Sequence, residues 1–242
     1  MLDLLRIKAI TLDLDDTLWP IWPTIERAER ALQDWLGQHA PMTGALFNNP
    51  AAMRAVREEI LYKRPELRHD MSAVRREAIR LAMYRAKENP LLADAAFDVF
   101  HAERQNVTLF EDSLLALDFL VARYPLGSIS NGNADLQKIG LASHFAVSLS
   151  AREFGVGKPK PSIFIETAKR LGVRCDEILH IGDDVALDVL GALGVGMQAV
   201  WLNRGDTEWT HDTEPTLIVH DLIELCDALR EAPLTRPYED LL

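Results

Sequence analysis

A chain of 242 residues, 48% hydrophobic and 26% charged, has the size and make-up of a packed globular domain with room for an insertion, and excludes disordered, collagenous and coiled-coil chains. Its two cysteines, Cys175 and Cys226, are too few for a disulfide framework or a four-thiolate zinc site and are expected to be reduced. The net charge of −11 disfavours nucleic acid and anionic membranes, which draw on an excess of Lys and Arg, and leaves a small molecule as the expected partner.

The first residues, MLDLLRIKAI, place Asp3 where a signal peptide would be basic and then apolar, so the fold is expected to begin at once and the protein to be cytoplasmic. A first strand is predicted over Ile7 to Leu12. From Pro20 to Phe110 the pattern turns helical throughout and the charge changes, with 13 Lys plus Arg against 12 Asp plus Glu, while the other 151 residues carry −12. This stretch reads as an inserted all-helical domain, 20–110, within a core of 1–19 and 111–242. Its core stripes are Ile25, Ala28, Leu32, Trp35 and Leu36, then Val74, Ala78, Leu81 and Ala82, then Leu92, Ala96, Val99 and Phe100.

Beyond the insertion, strand-length apolar runs alternate with helical segments, the pattern of an α/β fold with a doubly wound parallel sheet. Strands are predicted at Leu126 to Ile129, Ala146 to Leu149, Ile178 to Ile181, Ala199 to Leu202 and Leu217 to Val219. Helices are predicted at Asp112 to Arg123, Ala134 to Ile139, Ser162 to Leu171, Val185 to Leu193 and Leu222 to Arg230. The longest nearly apolar run, Val189 to Leu202, has 14 residues and three glycines, short of the roughly 20 a membrane helix requires.

Open α/β sheets bind ligands beyond the carboxyl ends of their strands, and four such places carry chemistry. The first strand ends in Asp13, Leu14, Asp15, Asp16, Thr17. Alternate residues Asp13 and Asp15 can face one pocket, where two close carboxylates separate their pKa values into a nucleophile and an acid. An EF-hand calcium loop is excluded, because its sixth position would be Leu18 rather than Gly. The second strand runs into Ser130, Asn131, Gly132, a hydroxyl and successive N–H groups ahead of a helix, which suits a phosphate. Gly155 to Pro159 puts Lys158 on a loop. It is no Walker loop, since Pro159 follows the lysine and Arg152 stands at the first glycine position. Gly182, Asp183 and Asp184 follow ILHI, with Asp188 on the next helix, a carboxylate gathering that suits Mg²⁺. Gly191, Gly194 and Gly196 precede a strand and make no GxGxxG, so no dinucleotide site is expected.

In this order, ITLDLDDTL, SISNGN, GVGKPKPSIF and ILHIGDDVALDVLGA resemble the four motifs of the haloacid dehalogenase-like hydrolases, and the insertion resembles the family's C1 cap. The resemblance implies a phosphatase in which Asp13 attacks phosphorus and Asp15 protonates the leaving alcohol, then activates water. It places Mg²⁺ on Asp13, the Asp15 carbonyl and Asp183, with Lys158, Ser130, Asn131 and Thr17 around the phosphoryl group. Asp188 would orient Lys158 or the metal shell, and Asp184 would either support the metal or cap a helix. Dehalogenase members lack the second aspartate, so Asp15 argues against carbon–halogen cleavage.

Within the family, SISNGNA, IGDDVALDVLGA and GMQAVWLNR are similar to the bacterial branch acting on FMN and 5-amino-6-(5-phosphoribitylamino)uracil. Phosphoglycolate or a sugar phosphate is the alternative substrate. A receiver-like phospho-aspartate signalling domain is the alternative from another class, opposed by Asp15 and by the insertion. Trp19 and Trp22 either pack at the hinge or stack on a substrate ring. The expected assembly is a monomer or weak dimer.

Overall fold

The computed structural model describes residues 2–230. Six strands, β1 (Ala9–Leu12), β2 (Leu126–Ser130), β3 (Val147–Ser150), β4 (Ile178–Gly182), β5 (Gln198–Leu202) and β6 (Leu217–Val219), form one sheet in the order β3-β2-β1-β4-β5-β6. Every neighbouring pair is parallel. Helices on a parallel sheet bury both of its faces, which is why β1, β2 and β4 are buried along their whole length and read as unbroken runs. The chain leaves β1 to build β2 and β3 on one side, then returns to build β4, β5 and β6 on the other. This reversal makes the carboxyl end of β1 the switch point of the sheet. Leu12 pairs with both Ser128 and Ile181, so the three strands beside that point end nearly level.

The strands lie close to the predicted runs, with β1 beginning two residues later. Val185 to Leu193 is not one regular helix. Val185–Leu190 is π-helical and Gly191–Leu193 continues as a short α-helix. The N–H of Val189 reaches back five residues to the Asp184 carbonyl, and the widened turn carries Asp188 against Gly182. A Cβ on Gly182 would lie 2.3 Å from the Asp188 Cγ, so only glycine fits there.

The chain divides into two compact units. One comprises the residues through Pro20, Leu109–Gly132 and those from Leu136 onward; the other comprises Ile21–Thr108 with Asn133–Asp135. The second is helical: α1 (Ile21–His39), α2 (Pro41–Phe47), α3 (Pro50–Lys63), α4 (Met71–Arg85) and α5 (Ala93–Arg104). Ala28, Leu32 and Leu36 of α1 pack with Ile79 and Met83 of α4 and with Ala93, Ala96, Phe97 and Phe100 of α5. The α5 stripe therefore runs 93, 96, 97, 100. Counting it from Leu92 misplaces Phe97, which is core, and Val99, which is only half-buried. Asn133 and Asp135, predicted near a core helix, bond within the helical unit, Asn133 Nδ2 donating to Ser72 Oγ (3.0 Å) and the Asp135 N–H to Gln105 Oε1 (2.7 Å). That helix begins only at Leu136.

Candidate active site

Three strand ends of the core converge on one buried lysine. Lys158, 5% exposed, donates from Nζ to Asp13 Oδ1 at 2.5 Å and to Asp188 Oδ1 at 2.6 Å. Its loop is pinned by the Asn131 side chain. Nδ2 donates to the Lys158 carbonyl (2.9 Å), and Oδ1 accepts the Lys158 N–H (2.8 Å). A Cβ on Gly157 would come within 2.5 Å of that Oδ1, so the second glycine of GVGKP makes room for the clamp. Asn131 thus spends its side chain on the lysine loop. Ser130 is buried, and its Oγ accepts the Gly132 N–H at 2.9 Å, folding the turn after β2.

One ammonium cannot neutralise two buried carboxylates, and the surroundings decide which stays ionised. Asp188 also accepts from His180 Nε2 (3.0 Å) and from the Asp184 N–H (3.3 Å). Against the burial that raises it, the Lys158 charge and the His180 hydrogen bond hold its carboxyl below the usual range. Asp13 goes the other way. Burial, opposed by Lys158 and reinforced by Asp188 and Asp183, holds it well above the usual value. Between two carboxylates, Lys158 itself stays protonated despite its burial.

His180 is wholly buried on β4 and neutral, because burial pushes its pKa down. Asp188 can only accept, so Nε2 carries the proton. Nδ1, 2.9 Å from Thr11 Oγ1, then accepts from that hydroxyl. The result is a buried chain from Thr11 through His180 and Asp188 to Lys158 and Asp13.

The loop after β1 turns sharply at Asp16, whose φ of 56° is left-handed. Asp15 stands apart from the lysine network, its Oδ1 accepting Trp19 Nε1 at 2.8 Å. Trp19 is fully buried, so its indole holds Asp15 and is closed to a ligand ring, whereas Trp22 is 70% exposed. Thr17 is also fully buried, and its hydroxyl donates to Asp183 Oδ1 (3.2 Å), so in this structure it orients a carboxylate. Arg204 Nη2 donates to the Thr17 carbonyl (3.1 Å) and to Asp112 Oδ1 (3.0 Å), tying the loop to the start of helix Ser113–Val121. Trp201 Nε1 donates to the Asp183 carbonyl at 2.9 Å. Asp184 is exposed and accepts the Ala186 and Leu187 N–H groups, both at 2.8 Å, so it caps the turn that follows.

Asp13, Asp183 and Asp188 offer oxygens within 4.8 Å of one another. Asp15 is not in this carboxylate group. Burial, then Asp188 and Asp16, push Asp183 up to about 7. With all three ionised, one ammonium leaves a deficit of two positive charges, which is why two of them are pushed towards the protonated form; the all-oxygen donor set fits a divalent hard cation such as Mg²⁺.

Sequence reasoning assigned no role to His180, Trp201 or Arg204. A histidine inside the otherwise apolar strand ILHIG was the available signal for His180. The indole and guanidinium contacts join residues far apart in the chain and left no local trace.

A family model described as haloacid dehalogenase-like hydrolase matches residues 7–196. The 5-amino-6-(5-phospho-D-ribitylamino)uracil phosphatase of Escherichia coli is 34% identical, covering 86% of this chain and 89% of that protein. The phosphoserine phosphatase of Thermus thermophilus is 30% identical, covering 90% and 98%. Among solved structures, a 2-haloacid dehalogenase from Pseudomonas syringae pv. Tomato superposes with a TM-score of 0.87 at 37% identity, covering 92% of this chain and 98% of that one. A phosphatase from Thermococcus onnurineus shares the fold, with a TM-score of 0.68 at 24% identity over 95% of this chain and 100% of that one.

Proposed function

The chain belongs to the haloacid dehalogenase-like hydrolases, and on that premise we propose a Mg²⁺-dependent phosphatase of small phosphorylated metabolites, working through an aspartyl phosphate on Asp13. Asp13 lies at the sheet's switch point beside the Lys158 ammonium; a divalent cation next to it would add to that charge and keep its carboxyl ionised, the form in which it attacks phosphorus. Asp15 protonates the leaving alkoxide, then takes a proton from the water that attacks the aspartyl phosphate. Lys158, with the Ser130 hydroxyl and the Asn131 N–H, opposes the charge spread over the phosphoryl oxygens. Asp13, Asp183 and the Asp15 carbonyl would hold Mg²⁺, which supplies further charge against those oxygens. Thr17 and Trp201 hold Asp183 for that task.

The observation that carries the reading is Asp15, a second carboxylate two residues beyond Asp13, kept out of the lysine network and steadied by Trp19. A halide leaves as a stable anion and needs no proton, and haloacid cleavage has no use for a cluster that calls for a dication. On this ground the phosphatase reading stands despite the name of the Pseudomonas structure. The family match also sets aside a receiver-like signalling domain.

The E. coli relative supports 5-amino-6-(5-phospho-D-ribitylamino)uracil as substrate, the resemblance of SISNGNA and GMQAVWLNR adds FMN, and the reduced cysteines fit work in the cytoplasm. Phosphate release from that precursor, FMN, phosphoserine, phosphoglycolate and sugar phosphates, beside halide release from 2-chloropropionate, tests both levels. The expected result is Mg²⁺-dependent phosphate release with the highest kcat/KM on the two ring-bearing esters. Halide release without phosphatase activity overturns the reaction. A preference for phosphoglycolate or a sugar phosphate overturns the substrate.

A further inference from the structure

A cleft of about 710 Å³ opens within the helical unit, lined by α1, α2, the turn after it, α3 and α4. That volume falls in the range of small-molecule sites. Trp22, Ile25, Phe47 and Met53 give it apolar walls. Trp22 is the notable one, since a large indole 70% exposed to water forgoes the burial that such a side chain normally gains.

The polar side of the cleft carries more cations than it can pair. Arg57 and Arg75 share a single oxygen of Glu29, at 3.4 and 3.3 Å. Arg75 is held in place over the Phe100 ring, 3.7 Å from its centroid, with only 15% of its side chain exposed. Burial and then the Arg57 charge push its pKa down to about 10. Arg30 and Arg54 line the same cleft without an ion pair among the described residues. Against these four arginines stand Glu26 and Glu29, an excess of two positive charges in a chain of net −11. Like charges gathered in a half-buried cleft repel, and an anion between them relieves the repulsion.

We propose that this cleft binds a ring-bearing anion, a planar heterocycle carrying a carboxylate or phosphate, with the ring against Trp22 and Phe47 and the anionic group on Arg54 and Arg57. The occupant is a free metabolite, because the phosphate of the enzyme's own substrate goes to Asp13 and Lys158 in the reading above. The binding itself is independent of the phosphatase reading because it is measured without turnover.

Calorimetric titration with orotate, a pyrimidine carboxylate lacking phosphate, tests it. Inorganic phosphate and uridine serve as anion-only and ring-only controls. Saturable orotate binding at least tenfold tighter than either control is expected. It should weaken at least tenfold in Arg54→Ala/Arg57→Ala, weaken in Trp22→Ala and recover in Arg54→Lys, with the melting temperature of each variant measured alongside. Steady-state turnover of p-nitrophenyl phosphate with added orotate tests that the site is separate from the catalytic one: a KM unchanged by orotate is expected, and competitive inhibition overturns it. Orotate binding no tighter than uridine or phosphate, or unaltered in the folded double variant, overturns the site.

Discussion

Replacing Lys158 by methionine keeps the side-chain volume and removes the one cation between Asp13 and Asp188. Both carboxyls are buried, with Asp188 only 1% exposed, and both lose a charged partner within 2.6 Å. Breaking a buried ion pair from one side typically costs about 3–5 kcal/mol, so the variant should lose about that much stability at pH 8 without metal. In the wild type Asp188 has a lowered pKa, so the stability it contributes is present above its unfolded value and lost as pH falls through the folded one. Without the ammonium both carboxyls shift upward, and a group with a raised pKa favours the folded state only while it is protonated. The difference between variant and wild type should therefore shrink as pH falls, by about 1.4 kcal/mol per pH unit for each carboxyl that takes up a proton, and be largely gone near pH 5. Urea unfolding of both proteins in EDTA at pH 8, 7, 6 and 5 measures it. A variant as stable as wild type at pH 8, or a deficit constant across the series, would refute the description of Lys158 as the counter-charge shared by two buried carboxylates.

Asp15→Asn should lose roughly 10²- to 10⁴-fold in kcat, as expected for a general acid and base, with Mg²⁺ affinity retained by calorimetry. Asp13→Asn should lose more and form no aspartyl phosphate in rapid-quench labelling, and near-wild-type rates there would exclude a covalent route. Because Asp183 is held protonated below about 7, Mg²⁺ binding should release a proton below that pH. Its Kd should then rise about tenfold for each pH unit from 7 towards 5, and a flat profile would place the cation elsewhere. Gly182→Ala, whose Cβ would lie 2.3 Å from Asp188 Cγ and 2.6 Å from its Oδ2, should lower both the melting temperature and kcat by displacing Asp188 from Lys158; unchanged values would show that the π-helical turn yields without effect.

The parallel sheet, the helical insertion and the four strand-end motifs were legible in the sequence because each has a local cause. Period and run length separate strand from helix, and a ligand-binding strand end keeps its polar residues contiguous, as in Asp13 to Thr17 or Gly182 to Asp184. What the sequence could not express is how groups from different strands share charges and donors. Thr17 looks like a phosphate ligand until folding places its hydroxyl on Asp183. Asp184 and Asp188, equally acidic neighbours, divide into an exposed cap and a buried anchor only because a π-helical turn rotates one of them inward. His180 acquires its partners from Thr11 on the adjacent strand and from Asp188 beyond the end of its own. Local pattern records which surface a residue buries, whereas a carboxylate's charge state depends on hydrogen-bonding contacts between residues as distant in the chain as Asp13 and Lys158, 145 positions apart, and those exist only once the sheet has formed.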